Sequence, residues 1–118
     1  MVALRPSSAK AKGRRLQQQV RDLIQKTFNL PAEDVRSTGM GQSGSDIQLS
    51  ARARKAFPFS VECKNTERLQ VWESWDQAVA HSGEDNLEPL LVFKRNRSET
   101  LACIRLDTLV ALLKEKKR

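Results

Sequence analysis

The chain has 118 residues, 39% hydrophobic and 30% charged, the size and balance of a single domain with a modest core. No run approaches the roughly 18 apolar residues of a membrane span, and the opening MVALRPSSAKAKGRR lacks the apolar stretch of a secretory signal, so an intracellular, unsecreted protein is expected. The net charge of +7 sits at the two ends, with Arg5, Lys10, Lys12, Arg14 and Arg15 in residues 1–15 and KEKKR at 114–118, a distribution that suits a polyanion better than a membrane surface.

Residues 1–12 read as a flexible basic arm, 13–113 as the folded domain and 114–118 as a basic tail. Leu16, Val20, Leu23, Ile24 and Phe28 recur on one helical face, which predicts a helix from Gly13 to Asn29, ended by Asn29 and Pro31. Gln17 falls inside that apolar sector, while Gln18 points away. A short strand follows over 34–38, then the stretch GMGQSGSD. Ile47, Leu49, Ala51 and Ala53 alternate with polar residues, which predicts a strand over 46–51, a basic turn at 52–56 and a second strand over 57–64. In that second strand Phe57, Phe59, Val61 and Cys63 share one face, and Ser60, Glu62 and Lys64 the other. A helix is expected over 66–81, with Trp72 and Trp75 on its buried stripe, broken by SGEDN. PLLVFKRN and TLACIRL read as a hairpin turning near Arg97 and Ser98. Asp107 is the expected cap of a last helix, TLVALLKE. The order is α-β-β-β-α-β-β-α. Cys63 and Cys103, the two cysteines, read as buried free thiols; a zinc site would need more Cys or His than this chain has.

Gly39, Gly41 and Gly44 fit the spacing of a dinucleotide-binding turn. That turn works because its last glycine opens a helix whose N-terminus holds the pyrophosphate. Here the glycines open a strand, so nucleotide binding is not expected, and close backbone approach near Asp46 is the expected reason for them. If 46–51 and 57–64 form an antiparallel hairpin, Asp46 lies opposite Glu62 and Gln48 opposite Ser60, with Lys64 on the same face. Opposed carboxylates repel. A divalent cation reverses the sign, since Mg²⁺ takes one or two carboxylates together with waters and phosphate oxygens. Lys64 could then hold a water in line with a phosphate.

Asp46, Glu62-Cys63-Lys64 and the flanking helices resemble the PD-(D/E)XK nuclease superfamily. The stretches RRLQQQVRD, FPFSVECKN and LLVFKRNR carry the likeness to its small phage-type endonucleases and, more distantly, to its Holliday-junction resolvase branch. The resemblance covers about residues 12–113. It implies an α/β restriction-endonuclease-like core, a mixed β-sheet flanked by helices. It implies hydrolysis of DNA phosphodiesters with Mg²⁺ or Mn²⁺. The metal ligands would be Asp46, Glu62 and the Cys63 carbonyl, and Lys64 would aid the attacking water. Many members add a glutamate on the first helix, where this chain has Gln17. Ser45 stands in place of the proline that gives the superfamily its name. Gln77 and His81 have the spacing of the Gln-x-x-x-Tyr of some exonuclease branches, with His for Tyr; an exposed helix-end histidine is the alternative.

The residues expected to meet DNA are Ser43 in the glycine loop, Arg52, Arg54 and Lys55, Arg68, Gln77, and Lys94, Arg95 and Arg97 at the second turn. With few aromatics and no groove-reading helix, backbone and shape recognition of duplex or branched DNA fits best. The expected activity is that of a metal-dependent endodeoxyribonuclease of phage or prophage origin, in the cytoplasm of a bacterial host. A junction-resolving homodimer and a non-catalytic DNA-binding module on the same fold are the alternatives.

Overall fold

The computed structural model describes residues 6–39 and 44–116; the first five residues of the predicted arm, residues 40–43 of the glycine loop and the last two residues lie outside it. Helix α1 runs from Pro6 to Thr27, so the arm is helical from Pro6 onward, seven residues before the predicted start. Proline suits a first helical turn and Ala and Lys are strong helix formers. The helix runs through Gly13, where a Cβ would meet nothing, so an alanine would fit there. Asn29, at φ 53°, closes the helix in the left-handed conformation, and the Leu30 N–H reaches back to the Gln25 carbonyl at 2.9 Å. Leu16, Val20 and Ile24 are buried, but Leu23 and Phe28 of the same predicted stripe are exposed.

After a 3₁₀ turn, Ala32–Asp34, come β1 (Val35–Ser37) and β2 (Ile47–Leu49). They pair with each other, antiparallel, in the register Val35↔Leu49 and Ser37↔Ile47. The predicted basic turn at 52–56 is a helix, α2 (Ala51–Ala56). Ser50 caps it, accepting the Ala53 N–H at 3.1 Å, and Ala53 is fully buried. Ala, Arg and Lys all favour helix, and with a cap in place that preference overrides the short alternation read as strand. The expected hairpin is therefore corrected. β3 (Phe59–Asn65) pairs with β4 (Glu88–Lys94) in parallel, and β4 pairs antiparallel with β5 (Leu101–Cys103). The result is a mixed sheet of order β3-β4-β5 beside the two-stranded β1-β2. The second hairpin turns where predicted, with Arg97 left-handed at φ 60°.

Helix α3 (Val71–Asp85) forms the parallel crossover and ends at Asn86, whose φ is 55°. It starts later than expected and passes through the predicted break. Its buried stripe is Ser74, Ala78 and Ser82, small residues that let the helix axis lie close to the sheet. Trp72 is 79% exposed, and Trp75 is half-buried with the Arg105 guanidinium 5.8 Å from its ring centre. The tryptophans therefore do not form the core stripe. Helix α4 (Leu106–Lys116) takes in the first residues of the predicted tail and holds Asp107 within its first turn instead of at its cap; none of its residues is buried.

The core joins α1 to the sheet: Leu16, Val20 and Ile24 pack with Val35, Ile47, Val61 and Val92, with Cys63 and Leu90 at the margin. α1 thus covers the Val61–Cys63 face of β3, where Asn65 Nδ2 also donates to the Lys12 carbonyl at 3.1 Å. α3 covers the other face through Ser60 and Glu62. The chain is a mixed sheet between helices, the layering of a restriction-endonuclease-like core. Among the described residues no helix is long and apolar enough to cross a membrane.

Candidate active site

Three elements converge on the second half of β3. Glu62 points to the α3 side and is only 6% exposed. Its Oε2 shares a hydrogen bond of 2.6 Å with His81 Nδ1 on α3, and its Oε1 lies 3.9 Å from Lys64 Nζ. Two residues earlier on the same face, Ser60 Oγ donates to Asp85 Oδ2 at 2.9 Å. These contacts fix α3 over the strand.

Asp46 reaches the site by a route other than the predicted hairpin. It precedes β2, and its backbone N–H donates to the Val61 carbonyl at 2.8 Å. Its Oδ2 accepts the Cys63 N–H at 2.6 Å. Thr38 holds the segment from the other side: its N–H donates to the Asp46 carbonyl at 2.8 Å and its Oγ1 to the Ser45 carbonyl at 2.6 Å. Buried Ser45, at the position of the missing proline, closes the turn through Oγ to the Ile47 carbonyl at 3.1 Å. Gly44 supplies the turn's left-handed residue, at φ +96°. Close approach is not what it provides, since the nearest atom to a Cβ there, on Glu84, would be at an ordinary 3.8 Å. A strand follows it, as expected, which removes the dinucleotide reading.

Burial and, after it, the Glu62 charge push the Asp46 carboxyl up from 3.8 to about 6, against the Cys63 N–H, Lys64 and His81, which favour its ionised form. Asp46, Glu62, Lys64 and His81 thus share one electrostatic environment although they span positions 46 to 81. Burial, then Asp46 and Glu62, push the Cys63 thiol well up, so it is not a nucleophile at neutral pH. Both cysteines are free and half-buried.

An aspartate whose ionisation burial and a neighbouring buried carboxylate oppose belongs to a donor set suited to a hard divalent cation, which keeps waters and needs few protein ligands. No group of three or more His, Cys, Asp or Glu side chains close enough to hold a metal ion occurs among the described residues.

The other expected residues are dispersed. Gln17 is half-buried on α1, next to the core residue Leu16. Arg52 is held by Asp34, with Nε 2.8 Å from Oδ2. Arg54 donates to the carbonyls of Leu49 and Asp85 at 3.3 and 3.4 Å. Lys55, Arg68, Gln77, Arg95 and Arg97 are exposed and Lys94 is half-buried; Ser43 lies outside the described residues. His81, read in the sequence as the Tyr position of Gln-x-x-x-Tyr or as an exposed helix-end residue, is half-buried and bonded to Glu62, a contact the sequence reading did not include. Its signal was the Gln77-x-x-x-His81 spacing, one helical turn beyond the buried Ala78.

An aspartate just before β2, bonded to β3, and a Glu-x-Lys on β3, in a sheet with helices on both faces, define the architecture of a PD-(D/E)XK-type protein. The chain belongs to the family described as "Phage putative PDDEXK endonuclease", which matches residues 8–118. No curated protein and no solved structure matches the chain at a significant level.

Proposed function

We infer that this protein is a divalent-metal-dependent endodeoxyribonuclease that hydrolyses phosphodiester bonds of DNA. The observation that carries the reading is the convergence of Asp46, Glu62 and Lys64, with Asp46 raised to about 6 partly by Glu62. Family membership supports the endonuclease class.

Asp46, Glu62 and the Cys63 carbonyl are the residues that would hold Mg²⁺ or Mn²⁺. The bound ion would supply Lewis-acid stabilisation of charge on the phosphate oxygens. Lys64, half-buried beside Glu62, holds the attacking water by its ammonium and favours hydroxide character in it. His81 fixes Glu62 Oε2 and so positions that carboxylate. Water oxygen bonds to phosphorus as its proton passes to solvent, the P–O bond to the leaving sugar oxygen breaks, and the leaving oxygen takes a proton from solvent. By the resemblance, Gln17, half-buried on α1, would stand for the first-helix glutamate of many members and add an amide in place of a third carboxylate.

The test is incubation of labelled linear, nicked, single-stranded and four-way DNA with Mg²⁺ or Mn²⁺, with EDTA and the Glu62→Gln variant as controls. Internal cleavage of duplex DNA that needs metal and Glu62 is expected. Selective, paired cuts in the four-way substrate by a dimer would replace the reading with junction resolution. Tight binding without cleavage of any substrate would leave a DNA-binding module.

A further inference from the structure

At the carboxyl ends of β3 and β4 a cleft of about 320 Å³ opens on the α1 side of the sheet, away from His81. Lys12 and Arg15 of α1 line it, with Asn65 and Lys94 at the strand ends and Arg97 on the turn beyond. Asn65 and Lys94 are register partners in the parallel pair. Among the described residues four cations face this cavity, and none of those lining it is acidic. Such a group repels itself unless an anion enters.

Two further features mark it as built. The Asn65 side chain is fixed by its bond to the Lys12 carbonyl, yet its Oδ1 is buried with no partner; buried acceptors of this kind normally have one. The turn that carries Arg97 is held from two sides. Its Asn96 N–H donates to Glu67 at 2.6 Å, and Ser98 Oγ accepts the Arg95 N–H at 3.1 Å. Open α/β sheets place their ligands in the crevice beyond the carboxyl ends of the strands, which is where this cleft lies. Lys64 and Asn65 are consecutive, so they point to opposite faces of one strand end.

We propose that this cleft is a phosphate-binding subsite for the DNA strand, holding a backbone phosphate that neighbours the one presented to Asp46, Glu62 and Lys64. Calling the anion DNA rests on the nuclease reading; binding of a phosphate group does not. Lys12, Arg15, Lys94 and Arg97 donate to its oxygens. The subsite thereby sets which phosphate of the strand reaches the carboxylates.

The experiment measures duplex DNA binding by the full chain in EDTA across NaCl concentrations, for wild type, the Lys94→Ala/Arg97→Ala double variant and a Lys26→Ala control in the last turn of α1, away from the cleft. One phosphate contact contributes about 0.9 to the slope of log K against log salt. The double variant should lose about that much and the control far less. A short duplex carrying a single neutral methylphosphonate should bind wild type about tenfold more weakly at one position and bind the double variant equally at all positions. Melting curves check that the variants fold. An unchanged slope, an equal loss in the control, or no position-specific effect would overturn the subsite while leaving metal-dependent cleavage intact. If wild type binds no DNA, calorimetry with pyrophosphate decides the cleft alone: heat lost in the double variant supports it, and no heat from wild type overturns it.

Discussion

Replacing Asp46 by Asn should stabilise the metal-free protein, and only above about pH 4. The carboxyl stands at about 6 in the fold against 3.8 ordinarily. The ionised form is therefore disfavoured by about 3 kcal/mol, at 1.36 kcal/mol per tenfold change in the proton equilibrium. Partial solvent access and the cost of placing an amide N–H₂ there reduce the net gain to about 1–2 kcal/mol. Asn keeps an oxygen for the Cys63 N–H, which Oδ2 now accepts at 2.6 Å. The sign follows from proton counts. Between 3.8 and about 6 the folded state holds more protons at Asp46 than the unfolded chain does, so wild-type stability falls as pH rises through that window. Asp46→Asn has no such loss. Melting curves in EDTA should coincide near pH 4 and separate as pH rises to 7, the variant melting higher by about 4–8 °C. Added Mg²⁺ should then raise wild type more than the variant. A variant that melts lower at pH 7, or a gap independent of pH, would show that the carboxylate acts as a structural cap and not as a held charge.

Lys64→Ala should lower cleavage by about 10²–10⁴-fold, the range for removing an acid–base group, while gel-shift affinity in EDTA changes little; equal losses in both assays would place Lys64 in binding. His81→Ala should weaken Mn²⁺ binding and cleavage by about 10–100-fold, with partial rescue by His81→Gln, as read by calorimetry and turnover; a change in melting point alone would make the contact purely structural. Gln17→Glu should tighten Mn²⁺ binding in the same calorimetric assay, and no gain would place α1's polar face away from the carboxylates.

The parts of the fold carried by local patterns were legible. The face of α1 at Leu16, Val20 and Ile24, the alternation in FPFSVECKN and the hairpin around Arg97 all depend on neighbours in sequence. Strand pairing does not. β2 could pair with β3 or with β1, and nothing within residues 46–64 distinguishes the two; the capped helix at Ala51–Ala56 occupies the stretch that a hairpin turn would need. The α3 stripe was misread because hydrophobicity points to Trp72, whereas tight packing on a sheet selects Ser74, Ala78 and Ser82. Asp46 still meets Glu62 and Lys64, because one backbone bond to Val61 and the side-chain bond to the Cys63 N–H bring it beside β3 without a hairpin. The cationic cleft was half visible, through Lys94 and Arg97. Lys12 and Arg15 reach it only because α1 extends back to Pro6 and crosses the sheet at Asn65.

The two carboxylates are not equivalent, and their removal should act in opposite directions. Among the described residues, the Asp46 carboxylate has a neutral backbone N–H as its hydrogen-bond partner. Glu62 has His81 at 2.6 Å and Lys64 at 3.9 Å, and is almost fully buried. Hydrogen bonds to charged groups contribute about 1.5–3 kcal/mol, more than neutral ones. Neutralising Glu62 forfeits that and leaves the Lys64 ammonium without its partner; the relief of repulsion at Asp46 offsets only part. Glu62→Gln should therefore melt lower than wild type in EDTA at pH 7, by about 1 kcal/mol, while Asp46→Asn melts higher. The double variant should fall short of the sum of the two, because each substitution already removes the one repulsion they share. Equal and same-signed shifts in the two single variants would mean that the carboxylates are interchangeable solvated charges, and the division into a held Glu62 and a strained Asp46 would be wrong.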